Sequence, residues 1–251
     1  MSLRSICLLA AVALAFIANC EASSCPGGRS TCPTYERVHT LLPDAELRRY
    51  NGGIWVSRDA PPDTFTYTCE YSNFYLGDYF RGLNYEERHF NLTTPLLITL
   101  DVWNMRAKRE ASFFVQGGTT GRVAPPMFPT SLVTEPERWY YVRQMDQTMD
   151  FTKIMHATFK LMADLVVERQ PFDQNKIHIA MYNYPKGKKP FTGPNEIWIE
   201  KPKTSGPPMN GFEDMMPAEE LYAIADSWLY MEKEPEKPFI PELAATTLPA
   251  Q

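Results

Sequence analysis

A strand segment, a helix and two further strands occur in this order twice along the sequence, and this repeat limits the fold more than any other feature. In the first copy, residues 46–57 predict a strand pair or one bulged strand, with two glycines that permit a bend. Residues 64–81 then predict a helix. Alternating apolar residues at 90–102 predict a strand, and residues 111–116 predict another.

The second copy has the same order. Residues 138–143 predict a strand, and residues 150–169 predict an amphipathic helix with its apolar side chains on one face. Residues 177–181 and 196–200 predict the two strands that follow. Two such βαββ repeats predict an α+β fold, in which a distorted antiparallel barrel or sheet of about eight strands carries two packed helices.

The ends of the chain differ in character from this repeated body. Residues 1–22 begin with a positively charged segment, continue with an apolar stretch of about 12 residues and end near small residues. This order predicts a cleaved signal peptide. An uncleaved anchor would need about 20 apolar residues, and lipid attachment at Cys20 is a minor alternative. We therefore expect a secreted protein with a Cys- and Pro-containing leader (23–44), one domain (45–201) and a tail (202–251).

The tail is acidic and Pro-rich, and its residues 217–233 predict one short amphipathic helix. That helix either packs on the domain or docks on a protein partner. Its apolar stripe consists of Leu221, Ile224, Trp228 and Leu229. Because an apolar stripe is costly to expose, packing on the domain is the favoured alternative.

Secretion would place Cys25, Cys32 and Cys69, the cysteines outside the predicted signal peptide, in an oxidising compartment, where thiols usually pair. Cys25 and Cys32 flank a Gly-Gly turn, so we predict a disulfide between them. Cys69 is then left over on a predicted helix, where we expect a buried and inert thiol. Asn91 begins an Asn-Leu-Thr sequon and is a predicted N-glycosylation site.

Composition and motifs argue against several classes of function. The net charge is −5 with both signs interspersed, whereas nucleic-acid binding needs a concentrated basic surface. The sequence contains no nucleotide-binding loop, metalloprotease helix or nucleophile elbow. None of the four histidines has metal-ligand spacing, so the sequence assigns no metal site.

The first predicted helix is unusually aromatic, with more rings than one buried stripe requires. Its aromatic residues are Phe65, Tyr67, Tyr71, Phe74, Tyr75, Tyr79 and Phe80. The loop before the last strand adds three lysines and Phe191. Aromatic faces suit a planar ligand, and lysines suit carboxylates at its edge. An aromatic core helix beside a solvated basic loop is the alternative explanation.

Five short motifs, taken in order, resemble the SOUL heme-binding family over residues 32–201. The matching residues are Trp55-Val56-Ser57, Gly82 and Asn84, Thr93 and Pro95, Tyr182, Asn183 and Pro185, and Asn195-Glu196-Ile197-Trp198. Each motif is weak alone, but five in the family's order and spacing are hard to obtain by chance.

This resemblance implies two βαββ halves around a distorted barrel, which agrees with the repeat described above. It also implies that heme or a related tetrapyrrole binds in a shallow apolar cleft near the first helix and the loop before the last strand. The contacts that follow from it are Tyr75, Leu76, Tyr79 and Phe191 for the ring, and Lys186 and Lys189 for the propionates.

The chain also departs from the family pattern. Arg49 stands where some members have a histidine proposed to bind iron, and Leu92 replaces a methionine. Gly193 and Pro194 replace basic residues. The resemblance therefore assigns no axial ligand for heme iron.

Three functions follow as hypotheses. The leading one is a secreted carrier of heme or a related flat hydrophobic molecule, without turnover. The second is a SOUL-fold scaffold that has lost heme and binds a protein partner through its C-terminal tail or its aromatic helix. The third, an enzyme acting on bound heme, is least favoured because no acid/base pair is evident.

Overall fold

The structure is a computed structural model of the 251-residue chain. It describes residues 25–26, 31–61, 63–104, 109–115, 123–145, 150–183, 194–202 and 215–230. The predicted signal peptide and the lysine-bearing loop at 186–191 lie outside these ranges.

Nine strands and three helices are present in the described ranges. The strands are β1 (Tyr35–Leu42), β2 (Ala45–Tyr50), β3 (Gly53–Ala60), β4 (Leu96–Asp101), β5 (Arg109–Phe114), β6 (Ser131–Glu135), β7 (Arg138–Met145), β8 (Lys176–Met181) and β9 (Asn195–Lys201). The helices are α1 (Phe65–Phe80), α2 (Phe151–Val167) and α3 (Ala218–Trp228). None of these helices combines the length and apolar character needed to cross a bilayer.

All nine strands form one antiparallel sheet in the order β1-β2-β7-β9-β8-β4-β5-β3-β6. Residues 51–52 alone connect β2 to β3, and residues 136–137 alone connect β6 to β7. In a flat sheet, five intervening strands would separate each pair by about 29 Å at about 4.8 Å per strand. A two-residue connection spans only roughly 10 Å. The sheet is therefore curled until its two ends meet.

The contact at Gly52 shows how closely the two ends approach. A Cβ added at Gly52 would lie 2.8 Å from the carbonyl oxygen of Glu135. A side chain at this position would displace backbone, so the β2–β3 connection requires glycine here. The curl gives the sheet an inner face and an outer face.

Both long helices begin at a capping residue and bury one side on the outer face of the sheet. Thr64 accepts a hydrogen bond from Tyr67 N at 3.3 Å, and Asp150 accepts one from Thr152 N at 3.1 Å. The main core lies between helices and sheet. It includes Leu76 from α1, Leu161 from α2, and many alternate strand residues. The remaining strand residues form a second, smaller cluster on the inner face.

The repeat predicted from the sequence is confirmed, because α1 and α2 are each followed by two strands of one sheet. The structure adds β6, and it adds β1 inside the segment that we assigned to the leader. The sheet therefore starts before the predicted boundary at residue 45. The predicted strand at 90–102 is shorter and begins at Leu96.

Helix α3 packs against α2, as favoured from its apolar stripe. Leu221 is buried, whereas Leu229 at the end of the stripe is 53% exposed. Tyr222 donates a hydrogen bond to Asp164 of α2. This part of the tail is thus joined to the domain.

Candidate functional site

The first candidate site is a column of tyrosines along α1. Tyr67, Tyr71 and Tyr75 are spaced four residues apart, so their rings follow one another along the helix. The ring centroids of Tyr67 and Tyr71 are 6.1 Å apart, and those of Tyr71 and Tyr75 are 4.5 Å apart. All three side chains are partly exposed. We call these residues the tyrosine column.

Arg58 of β3 lies beside the tyrosine column. Its guanidinium carbon is 4.3 Å from the ring centroid of Tyr75, and Nη2 donates a hydrogen bond to the Tyr71 hydroxyl at 2.8 Å. Its Nε is buried and has no hydrogen-bond partner in the part of the chain that the structure describes. The column therefore combines aromatic faces with an adjacent cation.

The residues predicted to contact a tetrapyrrole lie in different environments. Tyr75 reaches the surface, but Leu76 is fully buried and Tyr79 is 2% exposed. The Tyr79 hydroxyl donates to the carbonyl of Ala124 at 3.0 Å, and its ring stacks on Phe90. A ligand would reach these two side chains only if the core packing opened.

The other predicted contacts, Lys186, Lys189 and Phe191, lie outside the described residues. The structure therefore does not show whether they come near Tyr75. Contact of all six predicted residues with a ligand stays a prediction.

The second candidate site is a groove on the inner face of the curled sheet. Its volume is about 160 Å³. The lining residues are Pro33, Tyr50, Asn51, Trp55, Leu97, Thr99, Glu110, Ser112, Val133, Glu135, Pro136, Arg138, Tyr140, Lys176, His178, Trp198 and Glu200. They come from eight of the nine strands and the connections beside them. The curl of the sheet is what brings them together.

His178 is the most unusual titratable group of this groove. Its Nδ1 is 2.8 Å from the Thr99 hydroxyl, and its ring meets the Tyr140 ring edge-on at 5.4 Å between centroids. Burial, followed by the positive charges of Arg138 and Lys176, lowers the pKa of His178 from its ordinary value of 6.5 to about 4. The imidazole is therefore neutral at neutral pH, and Nε2 has no hydrogen-bond partner among the described residues.

The lowered pKa of His178 makes the stability of the fold depend on pH. Between pH 6.5 and about 4 the unfolded chain takes up a proton that folded His178 does not, so stability falls as the pH falls through this window. Above 6.5 the histidine is neutral in both states, and below about 4 it is protonated in both. We expect a loss of about 2 kcal/mol between pH 7 and pH 4.5 from this residue.

Urea unfolding of wild type and His178→Gln at both pH values measures this contribution. Glutamine keeps a hydrogen-bonding group for Thr99 but does not titrate, so the variant should lose about 2 kcal/mol less than wild type on acidification. His39→Gln, at an exposed histidine on β1, is the matched control and should behave as wild type. An equal acid loss in wild type and His178→Gln would contradict the assignment.

Next to the groove, the inner face holds a buried ion pair. Arg48 is 1% exposed, and Glu196 is fully buried. The carboxylate oxygen Oε2 of Glu196 accepts hydrogen bonds from Arg48 at 3.0 Å, from Tyr182 at 2.9 Å and from the indole of Trp198 at 2.8 Å. Arg48 also donates to the Tyr50 hydroxyl at 3.1 Å. Three residues singled out by the sequence motifs thus meet in one polar cluster.

Burial and the charges in this cluster shift the pKa values of Arg48 and of two phenols. Burial is the largest single effect on Arg48 and lowers its pKa, but the charge and hydrogen bond of Glu196, together with Tyr50 and Tyr35, outweigh it and raise the pKa of Arg48. Burial, and then the charge of Glu196, raise the pKa of Tyr50 and of Tyr182. Both phenols therefore remain protonated and can donate hydrogen bonds.

Sequence reasoning did not find the groove. In β8, His178 lies on the face opposite Ile177 and Ile179, and this alternation was the available signal. Tyr140 and Trp198 lie within continuous apolar runs of their own strands, so alternation does not mark them. Alternation identifies the face of each strand, but not that the sheet curls around it.

The remaining predicted positions are placed as follows. Cys25 and Cys32 form a disulfide, in agreement with the predicted pair. Cys69 is fully buried, and burial raises the pKa of its thiol, as expected for an inert cysteine. Asn91 is exposed, and its glycosylation stays a prediction. Within the described ranges, no cluster of three or more His, Cys, Asp or Glu side chains could hold a metal ion.

The fold and its two candidate surfaces define an α+β protein built from two repeated halves. The family model described as SOUL heme-binding protein matches residues 30–200, which is more than half of the chain. The chain belongs to the SOUL heme-binding protein family. No curated protein matches it in sequence.

Solved structures show weaker similarity. An uncharacterized conserved protein from Listeria innocua is 13% identical, with a TM-score of 0.42, and the match covers 62% of this chain and 91% of that one. A hydrolase from Listeria innocua is also 13% identical, with a TM-score of 0.41, and the match covers 62% of this chain and 90% of that one. At TM-scores below 0.5, these similarities carry no functional weight here.

Proposed function

We propose that this protein is a secreted carrier that binds heme or a related tetrapyrrole without turning it over. The observation that carries the proposal is the family match over residues 30–200. The ring would lie against the partly exposed tyrosine column, with Tyr75 as its main contact. Bound heme would supply a redox-active iron centre.

The described residues fit a flat ligand that carries carboxylates. The tyrosine column offers aromatic faces, which stack favourably on a planar ring. The buried Nε of Arg58 lacks a partner among the described residues, and a propionate oxygen would satisfy it. Lys186, Lys189 and Phe191 remain the predicted contacts from the loop before β9. No described residue is assigned as the axial ligand of the iron.

Secretion is supported by the predicted signal peptide at residues 1–22 and by the Cys25–Cys32 disulfide, a type of bond that persists in oxidising compartments. A carrier role fits a site built from aromatic rings and one arginine, because binding needs no acid/base pair. The exposed Asn91 would carry its glycan in such a compartment.

Hemin titration of the purified protein tests the binding site. We expect a saturable shift of the Soret band and quenching of aromatic fluorescence. Tyr75→Ala should weaken binding about three- to tenfold, because one stacking contact contributes about 0.5–1.5 kcal/mol. Tyr230→Ala, which removes an 87% exposed tyrosine outside the tyrosine column, is the matched control and should bind as wild type.

The same titration separates the alternatives. Absence of any Soret shift would contradict the carrier function and favour a scaffold that binds a protein partner. Release of iron, or slow conversion of the bound ring, would instead reveal an enzyme. If Tyr75→Ala bound hemin as tightly as wild type, the heme site would not be on α1.

A further inference from the structure

The inner-face groove is large enough for a small molecule and too small to enclose a tetrapyrrole. Its volume of about 160 Å³ is close to that of engineered protein cavities of about 150 Å³ that bind benzene. Pockets that take ligands of drug size have volumes from about 300 Å³ upward. The groove is therefore a site distinct from the tyrosine column on α1, and its ligand is smaller.

Aromatic rings from four strands form much of the groove lining. The ring centroid of Trp198 is 4.5 Å from that of Tyr50 and 5.4 Å from that of Tyr140. Trp55 packs against the same cluster, and its side chain is partly exposed. The faces of such rings carry negative electrostatic potential, so they attract cations as well as other rings.

The charged residues of the lining leave the groove with a negative balance. They are three carboxylates and two cations, namely Glu110, Glu135 and Glu200 against Arg138 and Lys176. Arg138 is shared by Glu135 and Glu200, at 2.7 Å and 2.6 Å. Lys176 lies opposite Asp101 in the β4–β8 register, so a further carboxylate offsets its charge. A positively charged ligand complements this lining.

Glu110 of β5 is the carboxylate that a ligand can approach. Its side chain is exposed, and it accepts a hydrogen bond from the Ser57 hydroxyl but has no ion-pair partner among the described residues. Ser57 and Trp55 are two residues apart on β3, so their side chains lie on the same face of the sheet. The bond to Ser57 therefore holds the Glu110 carboxylate on the Trp55 side of the groove.

The cations of the lining act on another side of the groove. Burial, followed by the positive charges of Arg138 and Lys176, lowers the pKa of His178, so these two cations act at the His178 side. Thr99 of β4 pairs with Glu110 of β5 on one side and with His178 of β8 on the other. Two strand spacings, or about 10 Å, thus separate Glu110 from His178. A cation held by Glu110 would lie away from the positive side.

We infer that the groove is a second binding site, which takes a small organic cation of the quaternary-ammonium type. The charged head lies against the Trp55 ring and beside the Glu110 carboxylate, and its apolar groups pack on Tyr140 and Trp198. A quaternary ammonium has no N–H to donate, so aromatic faces can replace the water around it. This site goes beyond the proposed carrier function and does not depend on it.

Titration with three compact probes tests the charge of the ligand. Tetramethylammonium, tert-butanol and pivalate share a branched apolar body but are positive, neutral and negative. In ligand-observed NMR of the purified protein, tetramethylammonium should bind saturably and about tenfold more tightly than tert-butanol. Pivalate should bind most weakly. Equal or tighter binding of tert-butanol or pivalate, or no saturation by tetramethylammonium up to about 50 mM, would overturn the proposal.

Replacing the partly exposed tryptophan of the groove tests the contribution of its ring. Trp55→Leu should weaken tetramethylammonium binding about tenfold and leave tert-butanol binding nearly unchanged, because leucine keeps an apolar surface but has no aromatic face. Trp103→Leu, at a tryptophan that is 45% exposed outside the groove, is the matched control and should bind as wild type. Unchanged tetramethylammonium binding in Trp55→Leu would show that the groove is not the site.

Charge variants test the position of the cation within the fold. Glu110→Gln should weaken tetramethylammonium binding about threefold, because it removes a charge that is partly screened by solvent. Glu219→Gln, at an exposed glutamate of α3, is the matched control. Tyr75→Ala should bind the probe normally, since Arg58 beside the tyrosine column would repel a cation. Loss of binding in Tyr75→Ala, with none in Glu110→Gln, would place the cation on α1 and contradict the proposal.

Discussion

Replacing Glu196 with glutamine is expected to lower the free energy of unfolding by about 3 kcal/mol. The substitution keeps the shape of the side chain but leaves the buried charge of Arg48 without its main partner. Breaking a buried pair costs about 3–5 kcal/mol, and the lower end applies because Glu46 still contacts Arg48. Urea unfolding at pH 7 measures the loss directly.

An exposed ion pair that also involves β2 supplies the control. Arg49 pairs with Glu36, and both side chains are about 40% exposed. Glu36→Gln should therefore cost less than about 1 kcal/mol. The double variant Arg48→Met and Glu196→Gln should recover part of the loss, because no buried charge remains unpaired. If Glu196→Gln were as stable as Glu36→Gln, the buried pair would not hold the inner face together.

Replacing Asn84 with alanine is expected to cost about 3–4 kcal/mol. Asn84 is fully buried in the loop after α1, and its side chain bonds only to backbone. Its Nδ2 donates to the carbonyls of Tyr79 at 3.1 Å and Arg88 at 2.7 Å. Its Oδ1 accepts from the backbone N–H of Glu86 and of Arg88. Alanine would leave these backbone groups unsatisfied in a buried loop.

Thermal and urea unfolding of Asn84→Ala can be compared with Asn104→Ala, which removes an exposed asparagine side chain. The control should change stability by less than about 0.5 kcal/mol. Asn84→Asp should also destabilise, because a carboxylate oxygen would face the two carbonyls that Nδ2 now contacts. A cost below about 1 kcal/mol for Asn84→Ala would mean that water replaces the side chain.

Local signals in the sequence were sufficient to predict the two long helices and most strands of the sheet. The predicted helix at 64–81 and the observed α1 agree because Thr64 is a strong capping residue ahead of an unbroken run without proline. The same holds for Asp150 and α2. Alternation of apolar residues identified β8, because this strand buries Ile177 and Ile179 under the helices. The strand β9 was identified as a short apolar run instead, since Ile197, Trp198 and Ile199 are all buried.

The two edge strands were the elements that the sequence did not reveal. In β1, four successive residues from Arg37 to Thr40 are exposed, and β6 has no fully buried residue. Edge strands pair on one side only, so little apolar periodicity is imposed on them. The segment containing β1 also lies beside prolines and cysteines, which made it resemble a leader.

The groove was not predicted from the sequence, and the reason differs from that for the edge strands. Its lining residues are spread from Pro33 to Glu200 and become neighbours only through the curl of the sheet. The sequence also does not show which residues of α1 are buried. Leu76 and Tyr79 were therefore predicted as ligand contacts although both are buried in the core. Composition shows that a helix is aromatic, but not which of its rings the sheet covers.

The two halves of the chain are interleaved in the sheet, since β2 pairs with β7, β4 with β8, and β3 with β6. Neither half can complete its hydrogen bonding alone, so most of the sheet must wait for the second half to leave the ribosome. Pairings between strands so distant in sequence form slowly, and the first half exposes unpaired strand edges meanwhile. The closed sheet that creates the groove thus also makes folding a late, whole-chain event.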